Sequence, residues 1–186
     1  KMAQSKKTKP KREQHGWRIC PISEHWVIPH PMHVPVSRKN PDGMTTRMGH
    51  CAKNSSKKDQ LYFHEIFEIA ERKFSSLRGG PNPTDLGFKK TGNAYDLWIR
   101  GWTRYWNDIF KPKSKLDPDL VKALIASESG FRPALIIKAP GPGNFAHGLM
   151  QVTTETQRFL SDEKGLIKDH YITLTKQGPL NPNANI

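Results

Sequence analysis

Glu128 is the residue of this sequence best placed for acid–base chemistry, because of what surrounds it in the run from Leu116 to Gly130. Asp117 is an N-cap candidate and Pro118 suits the first helical position, where its missing N–H costs nothing, so the spacing predicts a helix from there. Leu120, Val121, Leu124 and Ile125 recur at helical spacing and are expected to bury one side, and Gly130 is a left-handed residue able to end the run. Glu128 then falls in the last turn. Leu120, Leu124 and Glu128 share one face, so its carboxyl is expected beside apolar side chains. Partial desolvation and the negative end of the helix dipole both disfavour the anion there, which would raise its pKa and suit it to donate a proton. Taken alone, this helix still reads as carrying an ordinary last-turn glutamate.

A second segment changes that reading. Gly148, Leu149, Met150 and Gln151 follow a Pro/Gly-rich loop and precede another helical run, Thr153 to Leu160. Taken in order, Glu128-Ser129-Gly130-Phe131, then Gly148-Leu149-Met150-Gln151, then Asn181 to Ile186 (NPNANI) resemble the lytic transglycosylases of the soluble, family 1 type, in the lysozyme-like superfamily, over residues 116–186. The resemblance implies that Glu128 is the only catalytic acid/base, that Ser129 helps orient the substrate, and that Gly148, Leu149, Met150 and Gln151 supply the glycan-binding cleft. It implies cleavage of the β-1,4 bond between N-acetylmuramic acid and N-acetylglucosamine in peptidoglycan, giving 1,6-anhydro-muramyl ends without metal or organic cofactor. The loop from Phe131 to Gly148 is longer and richer in Pro and Gly than in typical members, so Pro140 to His147 have no counterpart to map onto. The family also carries an Ala-Tyr-Asn motif on a helix beyond the Asn-Ile position. The sequence stops at Ile186, so the C-terminal end of this domain is expected to be incomplete.

The elements that must position these residues are uneven in charge. Residues 1–60 hold 13 Lys+Arg against 4 Asp+Glu, residues 61–115 hold 10 against 6, and residues 116–186 hold 7 against 7. The basic excess of the chain, formally +13, thus lies ahead of the catalytic segment. Residues 1–15 read as a flexible basic tail, either solvated or anion-binding. Peptidoglycan carries free carboxylates, so a basic wall enzyme is consistent. Nucleic acid would also be attracted, but the tail shows no recognition motif and no interleaving of basic and aromatic residues, so none is expected as a partner. No apolar run approaches the roughly 20 residues of a membrane span, and the first residues lack the apolar region of a signal peptide. A periplasmic or secreted site of action is expected, by an export route the sequence does not name.

Residues 16–58 form a loop-rich, extended segment, with Pro21, Pro29, Pro31, Pro35 and Pro41 forbidding a central strand. Trp26 to Ile28 and Val34 to Val36 are β-prone pieces expected to dock on the helices. Cys20, His25, His30, His33, His50 and Cys51 fall here. Zinc could use four of them, though no CxxC is present; a Cys20–Cys51 disulfide and two free thiols are the other readings.

A lysozyme-like domain is expected over residues 59–186. Asp59 to Leu77 predicts an amphipathic helix with Phe63, Phe67, Ala70, Phe74 and Leu77 as its stripe and with His64 and Glu65 at the surface. Asn93 to Phe110 predicts another, with Trp98, Trp102 and Trp106 four residues apart. Such regular spacing reads as a core face rather than a sugar-stacking row. Tyr171 to Leu174 fits a short strand or an irregular segment. The fold class expected is mostly α, a lysozyme-like helical domain behind a loop-rich N-terminal segment. Two other functions stay open: a hydrolytic muramidase, needing a second carboxylate among Glu155, Asp162, Glu163 and Asp169, and a non-catalytic wall-binding or assembly protein. A secretion machine or envelope-spanning assembly is a further expected partner.

Overall fold

The computed structural model describes residues 16–21, 23–54, 59–82, 84–162, 170–173 and 178–186. The expected basic tail lies outside the described residues, as do Glu163, Asp169 and Leu174. A mostly α fold is not what forms. Helix accounts for 41% of residues and strand for 18%, with several antiparallel sheets.

Much of the strand content lies where loops were expected. Strands β1 (Glu24–Val27), β2 (His30–His33), β3 (Met44–Arg47) and β4 (His50–Lys53) pair as β1 with β4 and β2 with β3, both antiparallel. The two pairings share one register, Glu24 opposite Lys53 and His33 opposite Met44, so they form a single ribbon interrupted at Ile28-Pro29 and Met48-Gly49. Beyond Val34 and Gly43, mutual backbone bonds between Ser37 and Asn40 close a two-residue turn at Arg38-Lys39. Prolines forbid a central strand, but a two-stranded ribbon has none, and here Pro29, Pro31 and Pro35 fall where an outer edge or a break tolerates them.

The ribbon's base is fastened by polar and covalent links. Cys20 is bonded to Cys51, with S–S 2.10 Å. Arg18 pairs with Glu65 at 2.9 Å, both about 1% exposed in their side chains. Glu65 was expected at the surface. It is buried because it also accepts from the backbone N–H groups of Trp26 at 3.3 Å and Tyr62 at 3.0 Å, while the His64 ring meets Trp26 O at 2.6 Å. The two side chains thereby satisfy both outward backbone groups of Trp26, and the β1 edge is closed by the start of a helix.

That helix begins later than its apolar spacing suggested. Asp59–Tyr62 is a strand, β5, parallel to β9 (His170–Thr173), and α1 spans Phe63–Lys73 before a 3₁₀ turn at Phe74–Ser76. Glu65 bonding back to Tyr62 forms a capping box that fixes the start. The buried side is Ile66, Ile69, Ala70 and Phe74, with Phe63 and Phe67 only half-buried. Short α2 (Lys89–Asn93) precedes α3 (Asp96–Phe110). Trp102 is buried, and Trp98 and Trp106 are half-buried against the same core of Leu61, Ile66, Ile69, Phe74 and Tyr105, so the tryptophan row does serve packing. Gly101 lets this happen, because a Cβ there would lie 2.1 Å from the Phe74 ring.

The remaining elements are α4 (Pro118–Ser129), a sheet of β6 (Ile136–Lys138), β7 (Phe145–His147) and β8 (Val152–Thr153), α5 (Thr154–Ser161) and α6 (Pro182–Asn185). Lys122 of α4, almost fully buried, ties α4 to α3 through Asp96 at 3.0 Å and to Asn93 Oδ1 at 2.6 Å.

Candidate active site

Helix α4 starts and stops as its residue types dictate. Asp117 caps it by accepting from Asp119 N at 2.8 Å, Pro118 opens it, and Gly130 closes it in the left-handed conformation with φ 57°. Phe131 is left-handed as well, with φ 61°, a costly conformation for a residue with a side chain. Burial holds it there: Phe131 packs with Ile99, Val121, Ile125 and Leu149 in a second core, and its ring meets Phe88 edge-on at 5.3 Å. The turn after Glu128 is therefore clamped to Leu149 of the second motif, which is how two distant stretches of sequence come together.

Glu128 is exposed in the last turn and has no hydrogen bond or ion pair among the described residues. Its face departs from expectation. Val121 and Ile125 are buried, but Leu120 and Leu124 are 63% and 43% exposed, so the apolar neighbours are in place while the expected desolvation is not. The helix presses its Val121–Ile125–Ser129 side into the core and leaves the Leu120–Leu124–Glu128 row open. Ser129 is buried, and its hydroxyl donates to Ile125 O at 3.1 Å, one turn back along its own helix. Arg132 Nε donates to Ser129 O at 2.8 Å and fixes the same turn from outside.

The loop of Gly148 to Gln151 is shaped by backbone needs. Gly148 has φ 73° and is buried, and a Cβ on it would sit 2.8 Å from both Asn185 Nδ2 and Pro179 O. Leu149 is wholly buried. Met150 is half-buried against the second core and, with Val152, Trp102, Trp106, Phe110 and Ile186, lines an apolar cavity of about 390 Å³. Gln151, with φ 48°, donates through Nε2 to Gly148 O at 2.8 Å and Leu135 O at 3.3 Å, so its amide is spent on the loop's own backbone.

The asparagines of the third motif do structural work that spacing did not reveal. Asn181 caps α6 by accepting from Ala184 N. Asn183 accepts from the Trp102 indole at 2.7 Å. Asn185 accepts from Met150 N at 2.6 Å and donates to His147 O at 2.9 Å and Pro179 O at 2.7 Å. Each must both donate and accept or cap a helix in a confined place, which explains an amide at every second position. The pattern NPNANI was visible in the sequence; only the fold shows what each amide holds.

No group of three or more His, Cys, Asp and Glu side chains able to hold a metal forms among the described residues. The phenol of Tyr95, which packs against the second core, is pushed above its ordinary pKa by desolvation.

Residues 107–186 match the family model of the transglycosylase SLT domain. The resemblance carried by the three motifs thus holds over a stretch that begins inside α3, and it indicates transglycosylase-type activity related to peptidoglycan. No curated protein and no solved structure matches the chain. No helix among the described residues is long and apolar enough to cross a membrane.

Proposed function

We propose that the chain is a peptidoglycan lytic transglycosylase in which Glu128 alone serves as acid and then base. The observation that carries this reading is the exposed Glu128 carboxyl, engaged by no described neighbour and set on a turn that the core clamps to the Gly148–Gln151 loop. Glu128 protonates the glycosidic oxygen as the bond from the muramyl C1 to that oxygen breaks, with the substrate's own N-acetyl group stabilising C1. The same carboxylate next takes the proton of the C6 hydroxyl as O6 bonds to C1. The proton given is regained, no water is consumed, and a 1,6-anhydro end forms.

Among the described residues, the positions of other carboxyls fit a single acid/base. Asp117 and Asp119 stand at the far end of α4, about 14 Å or more from Glu128 along the axis at ~1.5 Å per residue. Paired glycosidase carboxyls lie roughly 5–9.5 Å apart. Asp119 is moreover engaged by Asn82 N at 2.8 Å, and Glu155 and Asp162 are exposed on and after α5. In this reading Gly148 and Leu149 shape the cleft loop, Met150 and Gln151 form its wall, and Ser129 orients substrate through the helix end it braces.

Glu128→Gln keeps the shape but donates no proton. It should lower release of muropeptides from purified sacculi by ~10²–10⁴-fold. Clearing by the Gln variant at the parent rate, with an unchanged melting temperature, would refute the assignment.

A further inference from the structure

Helix α4 is held along its length by a segment that the family match does not include. The match covers residues 107–186, and Asn82 and residues 84–93 come before it. Asn82 N donates to Asp119 Oδ1 at 2.8 Å in the first turn of α4. One turn on, the buried Lys122 donates through Nζ to Asn93 Oδ1 at 2.6 Å. At the far end Phe88 reaches Gly130, where a Cβ would lie 3.0 Å from Cε1 of the ring and 3.6 Å from Cζ. The same ring meets Phe131 at 5.3 Å. The segment is thus a strap fixed to α4 at its start, its second turn and its end, and Phe88 lies on the turn that follows Glu128.

The tip of the strap is built at a conformational cost. Leu86 and Lys89, on either side of Phe88, are left-handed with φ 50° and 53°, a region that a Cβ disfavours. Asp85 braces them, accepting from Gly87 N at Oδ1 at 2.9 Å and from Phe88 N at its carbonyl at 2.8 Å. Gly92 permits the tight return, because a Cβ on it would sit 2.1 Å from Asp85 O. The ring so placed is not a core residue, since Phe88 remains 37% exposed. Strain kept around a partly exposed ring points to what that ring touches.

What it touches is the turn that aims Glu128. The Glu128 side chain has no hydrogen bond or ion pair among the described residues, so the backbone of its turn, rather than a polar partner, sets its direction. That turn ends in two consecutive left-handed residues, Gly130 and Phe131. The core holds Phe131, while the atoms nearest a Cβ on Gly130, its own chain neighbours aside, belong to the Phe88 ring. A displacement of about 1 Å at a reacting group can cost roughly 10²-fold in rate, so the turn need yield little for turnover to fall. We propose that Phe88 is a positioning residue, which acts through Gly130 and Phe131 to hold the last turn of α4 where the Glu128 carboxyl meets the glycosidic oxygen. The inference rests on the proposed function for naming Glu128 as the acid. It adds to the site a side chain from outside the stretch that matches the family.

The test uses the full chain with Phe88→Leu and Phe88→Ala. Leucine keeps apolar bulk on the strap but lacks the Cε1 and Cζ atoms that reach Gly130. Both variants should lower kcat on soluble glycan strands by about tenfold or more and leave KM within about twofold of the parent, and Phe88→Leu should melt as the parent does. Hydrogen exchange, measured without substrate, should quicken at Gly130 and Arg132, whose N–H groups donate to Ala126 O and Ser129 O, and stay unchanged at Val121 in the first turns of α4. A parent kcat in Phe88→Leu would overturn the proposal, as would exchange at Gly130 and Arg132 equal to the parent's. A raised KM with kcat intact would overturn it as well, because the ring would then touch glycan instead of holding the acid's turn. Turnover that falls only in step with the folded fraction would reduce Phe88 to a packing residue. Exchange reads the strap whether or not Glu128 is the acid, so failure of the strap and clearing by Glu128→Gln at the parent rate are different results.

Discussion

The N-terminal ribbon and the C-terminal region around Glu128 are held by different forces. At the ribbon base the fastening is one disulfide, one buried ion pair and the hydrogen bonds that Glu65 and His64 make to Trp26. Around Glu128 the fastening is apolar, with Ile99, Val121, Ile125, Phe131 and Leu149 all buried, and polar groups such as Asn185 act on the backbone of one loop. A ribbon two strands wide buries too little apolar surface to stand alone, so it depends on specific links. The helical region can distribute its stability over many contacts. The ribbon should therefore fail at single points, and the region around Glu128 should tolerate single changes in stability while, on the proposed function, remaining sensitive in turnover.

The largest expected effect is at Glu65. Glu65→Ala leaves Arg18 buried without its carboxylate and strips the Trp26 and Tyr62 N–H groups of an acceptor, which should cost about 3–5 kcal/mol. Thermal or denaturant melts measure it. A loss under ~1 kcal/mol would show that the ribbon base is not fastened there.

Removing the disulfide sharpens the contrast. Cys20→Ser with Cys51→Ser opens a loop closed across a separation of 31 residues and should cost about 3.5–4 kcal/mol. Hydrogen exchange should rise in residues 24–53, while turnover of soluble glycan per folded molecule stays at the parent value. A matching fall in turnover would mean that the ribbon shapes the cleft.

Asn185→Ala should have the smaller effect on stability and the opposite balance. Leaving Met150 N without its acceptor costs about 1–3 kcal/mol, yet the Gly148–Gln151 loop loses its main backbone support. Turnover per folded molecule should fall at least tenfold. A variant that only melts earlier, with unaltered turnover, would assign Asn185 to the core rather than to the site.

Local signals were legible in the sequence wherever one residue decides backbone geometry. Asp117, Pro118 and Gly130 bounded α4, and the spacing of Trp98, Trp102 and Trp106 marked a packing face. What escaped was decided by distant partners. Leu120 and Leu124 have the spacing of buried residues, but α3 meets the adjacent side of α4, so they remain open. Glu65 looked like a surface residue because Arg18, 47 positions earlier, gives no local sign of reaching it. The ribbon was hidden because prolines argue against strands in general, whereas these fall at an outer edge or a break.

The central claim is that one carboxyl does the chemistry, and the products of digestion test it most directly. Purified sacculi are cleared by the chain and the released muropeptides weighed by mass spectrometry. An end closed by O6 is lighter by one water than an end opened by hydrolysis. Anhydro ends throughout are the result predicted for Glu128 acting alone with the C6 hydroxyl. Reducing ends throughout would contradict it, because hydrolysis needs a water activated by a second group that this account leaves out.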